Sequence, residues 1–287
     1  MTVAVLLTTF NRKQITLSCL KKLKNQEVSE DVHLKIFLTD DGSSDGTADA
    51  VRNLYPDVNV YLGDGSMFWA GGMRNSWKKA LSSQADYYLL LNDDTILTKD
   101  AVSVMLNYYT SANNKSSKPA ICIGSTVNQY TGKISYGGRR LNSKVYWNKG
   151  YFMHSETEYL NCDVANANIM LVPREIVNDI GILSDTFTHG LADYDYTLKA
   201  KKAGYDLVVA PGFLGSCVDD HGNNWKSGNT TLKERIDYLK SPKGLAYKEY
   251  LGFIKEHFPL SYPSAFLKLW IKTLFPFLWD TLKKQDV

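Results

Sequence analysis

Two adjacent carboxylates follow an apolar run near residue 90. The run Leu89–Leu91 leads into Asn92, Asp93 and Asp94, so charged groups stand where a buried strand would end. A divalent metal that also binds diphosphate would offset these charges, because Mg²⁺ and Mn²⁺ prefer a few carboxylates together with phosphate oxygens. The alternative is a polar turn, since Asn and Asp also favour turns.

A second acidic segment follows the apolar run Leu34–Leu38. It reads Asp40-Asp41-Gly-Ser-Ser-Asp-Gly, residues 40–46. Carboxylates at a strand end accept hydrogen bonds from a nucleobase N–H or a ribose hydroxyl, and a helix that follows offers its N-terminal amides to an anion. A plain turn into a helix needs only a glycine and one acid, so this segment exceeds that need.

Asp193 and Asp195 stand at the start of a predicted helix. The helix dipole alone favours acids there. A functional interpretation makes one of them a general base for a hydroxyl proton. His221, in a polar loop, is either a solvated side chain or a metal ligand.

The elements that would position these residues alternate between strand and helix. Apolar runs predict strands at 3–7, 34–38, 58–62 and 87–91, with helices between them. This alternation predicts a mostly parallel sheet with helices on both faces, and ligands bind such sheets at the carboxyl ends of the strands. The sequence predicts a loop over 63–72 followed by a helix over 73–81, hairpins or loops over 132–161, a strand over 207–210 and helices from Leu232 onward.

Composition excludes several classes of protein. The 287 residues carry 33 Lys and Arg against 30 Asp and Glu, so the chain is neither a polybasic nucleic-acid binder nor a disordered acidic segment. The four cysteines include no Cys-x-x-Cys pair, which argues against a zinc knuckle. No signal peptide and no uncharged run of about 20 residues are visible, so we expect a cytoplasmic protein.

The order of these motifs resembles family 2 of the glycosyltransferases, in particular inverting, bacterial polysaccharide-type sugar transferases. The segments are Thr8–Arg12, Asp40–Thr47, Leu91–Thr95, Asp193–Asp195 with Lys199, and His221. The resemblance implies an α/β GT-A fold: a Rossmann-like mixed, mostly parallel sheet flanked by helices, with a C-terminal helical extension. It also implies a catalytic domain over residues 1–225, with a nucleotide-binding half over about 1–115, an acceptor-binding half over about 116–225 and an extension over 226–287.

The resemblance further implies the reaction. A sugar would pass from a UDP- or dTDP-linked donor to a hydroxyl of a glycan or lipid-linked saccharide, by direct displacement assisted by Mn²⁺ or Mg²⁺. Asp193 would be the base, with Asp195 as the rival because Ala192 stands where the family usually has Glu. Asp94 and His221 would bind the metal. Nucleotide or donor contacts would come from Thr9, Asn11, Arg12, Asp40, Asp41 and Asp93.

A glycine-rich segment over residues 63–75 resembles the part of the family that lies beside the donor. Gly71 would let the backbone approach the donor closely. Arg74 either pairs with diphosphate or points outward from a helix. Trp69 and Trp225 are candidate acceptor contacts, and a place in the core is the alternative for Trp69.

Two other functions remain open at this stage. One is a non-catalytic nucleotide-sugar-binding or assembly protein of the same fold, which the Ala192 departure favours. The other is a sugar-phosphate nucleotidyltransferase, although Thr8–Arg12 lacks the glycines that such enzymes carry after their first strand.

The C-terminal region is basic and amphipathic. From Lys226 onward there are 11 Lys or Arg and 6 Asp or Glu, whereas the preceding residues have a net charge of −2. Apolar side chains between 263 and 284 fall on one helical face, with lysines opposite. This pattern predicts a helix lying on an anionic membrane surface, at the inner face of the cell membrane, and packing on the body or in a homo-oligomer is the alternative.

Overall fold

The structure is a computed structural model that describes residues 1–110, 119–218 and 229–278. Its strands, in chain order, are β1 (Thr2–Thr9), β2 (His33–Asp40), β3 (Asn59–Leu62), β4 (Tyr87–Leu91), β5 (Ile96–Leu97), β6 (Ala120–Val127), β7 (Ile134–Tyr136), β8 (Gly138–Leu141), β9 (Gly150–Phe152), β10 (Leu160–Asn161), β11 (Val164–Ala165), β12 (Ile169–Pro173) and β13 (Asp206–Ser216). Its α-helices are α1 (Lys13–Lys24), α2 (Thr47–Leu54), α3 (Phe68–Leu81), α4 (Ala101–Thr110), α5 (Arg174–Ile180), α6 (Ala192–Lys202), α7 (Leu232–Lys240), α8 (Tyr247–His257) and α9 (Tyr262–Leu274).

One mixed sheet organises the described chain. Its strand order is β10-β13-β6-β12-β4-β1-β2-β3, with β5 and β7 attached beside this path. The pairs β1–β2, β2–β3, β1–β4 and β6–β13 are parallel, whereas β12 is antiparallel to both of its neighbours. The sheet is therefore mixed and mostly parallel in its first half, which confirms the predicted α/β fold class.

Both faces of the sheet are buried, because successive residues of a strand point to opposite sides. Val3, Val5 and Leu7 pack with α1 and α4 on one side. Ala4 and Leu6 pack with α3, α6 and α8 on the other. The near-continuous apolar runs in the sequence are the consequence of this double burial.

The glycine-rich segment is more helical than the sequence indicates. We expected a loop to residue 72, but α3 already begins at Phe68 and carries Gly71 and Gly72 in its first turns. A Cβ atom on Gly72 would lie 2.0 Å from Thr8 Oγ1. Glycine at this position therefore allows α3 to pack closely against β1.

Residues 132–161 form hairpins, as predicted: β7 and β10 join the main sheet, whereas β8 and β9 belong to a small second sheet. In this sheet β8 is antiparallel to both β9 and β11, in the order β11-β8-β9. By contrast, β13 is longer than expected: we predicted a strand over 207–210, and it continues to Ser216 through register shifts against β6.

The C-terminal helices pack against the sheet domain. Leu239, Phe253, Ile254 and Leu269 belong to the same buried core as α3 and α6. The division of the chain at residue 226 stays a prediction. None of the helices among the described residues is long and apolar enough to cross a membrane.

Candidate active site

A pocket opens at the carboxyl ends of β1 and β4. Its walls come from the end of β1 and the loop that follows it, from the start of α3, and from Asp93 in the loop after β4. The lining side chains include Thr9, Phe10, Arg12, Phe68, Trp69 and Asp93. Parallel strands bring these segments to one edge of the sheet, as the sequence predicts.

The acidic pair lies at this edge and contacts Arg12. Arg12 Nη1 is 2.8 Å from Asp94 Oδ2 and 3.4 Å from Asp93 Oδ1. The Asp93 side chain is 7% exposed and that of Asp94 is 23% exposed. The more exposed carboxylate is therefore the one that a ligand in solution reaches first.

Burial changes the acidity of Asp93. Desolvation, with the negative charge of Asp94 beside it, raises the pKa of Asp93 to about 6, although Arg12 and the hydroxyls of Thr9 and Thr16 oppose the rise. The Thr16 hydroxyl donates to Asp93 Oδ2 at 3.2 Å, and the hydroxyls of Thr9 and Thr16 are 2.8 Å apart. The ionised form of Asp93 is therefore unfavourable beside Asp94, and a bound cation would stabilise it.

Asp40 and Asp41 have different partners. Asp40 is directly beside Thr9 in the β1–β2 register, and its Oδ1 accepts a hydrogen bond from the Ser43 N–H at 2.8 Å. Its Oδ2 is buried and has no hydrogen-bond partner among the described residues. Since a buried carboxylate oxygen without a partner is costly, Asp40 Oδ2 is available to a donor group of a ligand.

Asp41 holds the backbone of the next loop. Its Oδ1 accepts from the N–H groups of Gly65 and Met67, and its Oδ2 accepts from the N–H of Phe68 at 2.9 Å. These contacts shape the start of α3. Although Asp41 also lines the pocket, its carboxylate is already fully engaged by backbone donors.

Asn11 joins the loops after β1 and β2. It adopts a left-handed backbone conformation with φ 52°, which Asn tolerates better than most residues. Its N–H donates to Ser43 Oγ and its Oδ1 accepts from the Ser44 N–H, both at 2.8 Å. Asn11 therefore positions the acidic loop through these contacts.

Three residues of α3 differ in their surroundings. Trp69 lines the pocket and donates from Nε1 to Asn92 Oδ1 at 2.8 Å. Arg74 donates from Nη1 to the carbonyl oxygens of Ser184 and Phe187, both at 2.7 Å, so it holds the 184–187 loop, which is neither of the two positions that the sequence left open for it. Gly71 faces Met67, whose Cβ would be 3.1 Å from an added Cβ.

Asp193 stands in the first turn of α6. Its Oδ2 accepts from the N–H of Ala167 at 3.3 Å and its Oδ1 accepts from the N–H of Tyr194 at 2.8 Å. Burial raises the pKa of Asp193, although these backbone donors and Asn166 oppose the rise. A raised pKa makes this carboxylate a stronger proton acceptor than an exposed aspartate.

Asp195 lies on a different side of α6 and is fully buried. Its Oδ2 is 2.9 Å from Lys199 Nζ, and its Oδ1 is 2.8 Å from His257 Nε2 on α8. Both oxygens are thus held by cationic or hydrogen-bonding side chains inside the protein, so the structure does not support Asp195 as the rival base. Asp195, Glu256 and His257 are close enough to hold a metal ion, but Lys199 already supplies the positive charge.

A sequence profile of the family described as "Glycosyl transferase family 2" matches residues 4–181, more than half of the chain. The chain belongs to this family. Together with the fold, this membership identifies the protein as a glycosyltransferase. A curated relative, the GalNAc(5)-diNAcBac-PP-undecaprenol beta-1,3-glucosyltransferase of Campylobacter jejuni, is 28% identical over 106 residues. The match covers 36% of this chain and about a third, 33%, of that protein.

Two solved structures share the fold. The mannosyltransferase PcManGT from Pyrobaculum calidifontis, in complex with GDP-Man and Mn²⁺, aligns with a TM-score of 0.53 at 17% identity over 83% of this chain and 61% of that one. TarS residues 1–349 from S. aureus, in complex with UDP, aligns with a TM-score of 0.57 at 14% identity over 96% of this chain and 79% of that one. These similarities establish the GT-A type of architecture for the glycosyltransferase.

Two candidate residues, His221 and Trp225, lie outside the described residues. The structure instead adds pocket residues that the sequence motifs do not include. Lys243, from the segment between α7 and α8, lies over the rings of Phe10 (6.0 Å) and Phe68 (5.7 Å). His189 also lines the pocket of this glycosyltransferase, although a lone loop histidine gave no signal of its own.

Proposed function

We propose that this glycosyltransferase moves a sugar from a nucleoside-diphosphate donor, UDP- or dTDP-linked, to a saccharide hydroxyl with inversion. The observation that carries the proposal is the meeting of two features at one sheet edge. The partnerless Asp40 Oδ2 suits a nucleoside, and the acid pair Asp93–Asp94 suits a metal-bound diphosphate. Thr9, Asn11 and Arg12 complete the nucleotide side in this proposal.

The residues of the acid pair fit a divalent Mn²⁺ or Mg²⁺ ion. Asp94 is partly exposed, and Asp93 is buried with a raised pKa, so a cation would relieve the repulsion between the two carboxylates. We propose Asp94 as the metal ligand, with Asp93 beside it and His221 as a further ligand. Such an ion, when bound, neutralises negative charge on the diphosphate leaving group.

Asp193 is the proposed base. It takes the proton from the acceptor hydroxyl while that oxygen forms a bond to C1 of the donor sugar. The bond from C1 to the diphosphate oxygen breaks with its electron pair, and the nucleoside diphosphate leaves. Because the acceptor enters opposite the leaving group, the configuration at C1 inverts, and the chain supplies no covalent nucleophile.

The relatives support the classes of donor and acceptor. The two structural neighbours were solved with GDP-Man and with UDP, and the name of the curated relative specifies an undecaprenol-linked saccharide. We propose a glycan or lipid-linked saccharide acceptor for this chain, and a role in cell-envelope polysaccharide synthesis.

The test is a screen of nucleotide sugars for Mn²⁺-dependent release of the nucleoside diphosphate, repeated with Asp193→Asn. We expect wild-type release with one donor and a loss of transfer of about 10²- to 10⁴-fold in the variant. Asp49→Asn, which removes an exposed carboxylate ion-paired with Arg52 on α2, is the matched control. Binding of a donor without any turnover would favour the non-catalytic binding protein, and near-wild-type transfer by Asp193→Asn would remove Asp193 as the base.

We also propose that the C-terminal helices rest on an anionic membrane surface, at the inner face of the cell membrane. Helix α9 buries Ala265 and Leu269 against the body, but it exposes Leu267 (57%) and Ile271 (41%). It carries Lys268 and Lys272 and no acidic residue. An exposed apolar face flanked by lysines suits an anionic interface.

Flotation with vesicles of phosphatidylglycerol and phosphatidylcholine tests this membrane proposal. The double variant Leu267→Ser/Ile271→Ser should lose flotation, because it removes the exposed apolar side chains. It should still fold, because the buried face of α9 is unchanged. Leu54→Ser/Leu62→Ser, which changes exposed apolar residues elsewhere, is the control. Equal flotation of both variants would overturn the membrane assignment. It would also be overturned if the wild type forms a homo-oligomer and only Leu267→Ser/Ile271→Ser is monomeric.

A further inference from the structure

A second cavity lies between the small sheet and the start of α6. It has a volume of about 240 Å³. Its lining side chains include Tyr136, Arg139, Phe152, Asn166 and Tyr194. Strands β7, β8 and β9 supply the first three, so the cavity is built mainly by the hairpins of the second half of the fold.

The lining combines aromatic surface with polar groups. Arg139 and Phe152 are a cross-strand pair of β8 and β9, with the guanidinium 5.8 Å from the ring centroid. Tyr136 is buried and adds a second ring. Sugars present an apolar ring face and a rim of hydroxyls, so a site with aromatic faces and a few placed polar groups matches a pyranose.

The polar side of this cavity connects directly to Asp193. Asn166 Nδ2 donates to the hydroxyl of Tyr194 at 2.8 Å, and Tyr194 directly follows Asp193 in the first turn of α6. The Asp193 carboxylate accepts from the backbone N–H groups of Ala167 and Tyr194. Tyr194, which donates its N–H to Asp193, and Asn166, which precedes the second donor Ala167, thus both line the cavity.

We infer that this cavity is the acceptor subsite and takes a pyranose ring of the acceptor saccharide. Arg139 and Phe152 hold the sugar, and Asn166 orients one of its hydroxyls toward Asp193. The inference deepens the proposed function and rests on it. It assigns acceptor binding to the Tyr136–Phe152 hairpins instead of Trp69, which belongs to the pocket at the acid pair.

The experiment separates acceptor binding from donor chemistry. Transfer to a panel of p-nitrophenyl glycosides gives the acceptor KM, and release of nucleoside diphosphate to water without acceptor reports donor binding and cleavage. The variants are Arg139→Met and Phe152→Ala. Arg140→Met is the matched control, because Arg140 follows Arg139 in β8 and donates to the Asn161 carbonyl oxygen outside the cavity.

We expect the acceptor KM to rise about tenfold in both variants, the effect of one lost contact, while hydrolysis without acceptor stays within about twofold of wild type. The Arg140→Met variant should match wild type in both assays. Unchanged KM in the Arg139 and Phe152 variants, a parallel loss of hydrolysis, or a wild type that accepts no glycoside of the panel would each overturn the inference. A wild type that releases no nucleoside diphosphate from any donor would instead contradict the proposed function.

Discussion

Asp195 Oδ1 lies 2.8 Å from Nε2 of His257, and both side chains are at most 1% exposed. Asp195 is on α6, two residues after Asp193, whereas His257 is the last residue of α8. The pair therefore connects the helix that carries the proposed base to the C-terminal helices. This contact explains why a second acid follows Asp193 without lying beside Asp193 in the site.

Replacing His257 by Ala should lower stability without removing the base. In this variant Asp195 keeps Lys199 but loses a buried hydrogen bond to its carboxylate, which costs about 1–3 kcal/mol. Chemical denaturation at pH 7.5 measures the loss, and Glu256→Ala, an exposed neighbour, is the control. An unchanged free energy of unfolding, or a loss of kcat with wild-type stability, would contradict this structural role for the pair.

The elements of the sheet were predictable from the sequence because of their burial pattern. Strands buried on both faces give continuous apolar runs, as in β1, β4 and the second half of β2. The edge strand β3 has no buried residue, but it also matches a predicted strand. The polar residues at their ends were correctly expected to meet, since parallel strands end at one edge. Helix α3 was predicted to start too late because Gly71 and Gly72 have low helix propensity, whereas close packing against Thr8 requires glycine at position 72.

The roles of individual side chains were harder to predict, since they depend on contacts between distant segments. Asp40 and Asp41 are adjacent, but only the structure shows that Asp41 is occupied by backbone N–H groups and that Asp40 Oδ2 is not. Similarly, Arg74 contacts carbonyl oxygens about 110 residues away along the chain. Lys243 lies in the pocket only because the C-terminal helices fold back over the sheet domain.

The raised pKa of Asp93 predicts a pH-dependent stability. Its folded-state pKa of about 6 is above the ordinary value of 3.8, so the folded protein binds more protons than the unfolded chain between these values. The contribution of Asp93 to the free energy of unfolding of the metal-free protein therefore falls as pH rises from 4 to 6. Asp93→Asn removes the charge and should stabilise the metal-free protein by up to about 3 kcal/mol at pH 8, with little gain at pH 4.

Denaturation of wild type and Asp93→Asn at pH 4, 6 and 8, in the presence of a chelator, measures this difference. The same variant should lose most of the stabilisation that added Mn²⁺ gives to wild type. A stability difference independent of pH would show that the buried Asp93 is not protonated near pH 6.

Substitutions of the adjacent residues Asp40 and Asp41 should have different effects, one on nucleotide binding and the other on the stability of the protein. Asp40→Ala removes the partnerless Oδ2 and should raise the Kd for UDP or dTDP about tenfold, the effect of one hydrogen bond to a charged group. Asp41→Ala leaves three backbone N–H groups without an acceptor and should lower the free energy of unfolding by about 3 kcal/mol. Calorimetry and denaturation on both variants check the contrast, and the reverse assignment of effects would contradict it.

Lys243 should strengthen binding of the donor diphosphate. Its ammonium group lies over Phe10 and Phe68 at the pocket, and among the described residues no carboxylate is within ion-pair distance of it. We predict that Lys243→Ala raises the Kd for UDP or dTDP about three- to tenfold and leaves the Kd for the uncharged nucleoside unchanged, since only the diphosphate gains from the positive charge.

Lys248→Ala, an exposed lysine of the same helical region, is the control for net charge. Because the contact is electrostatic, the difference between UDP and uridine should shrink with added salt in wild type but not in Lys243→Ala. Equal weakening of nucleoside and nucleoside diphosphate would instead assign Lys243 a packing role over the two rings.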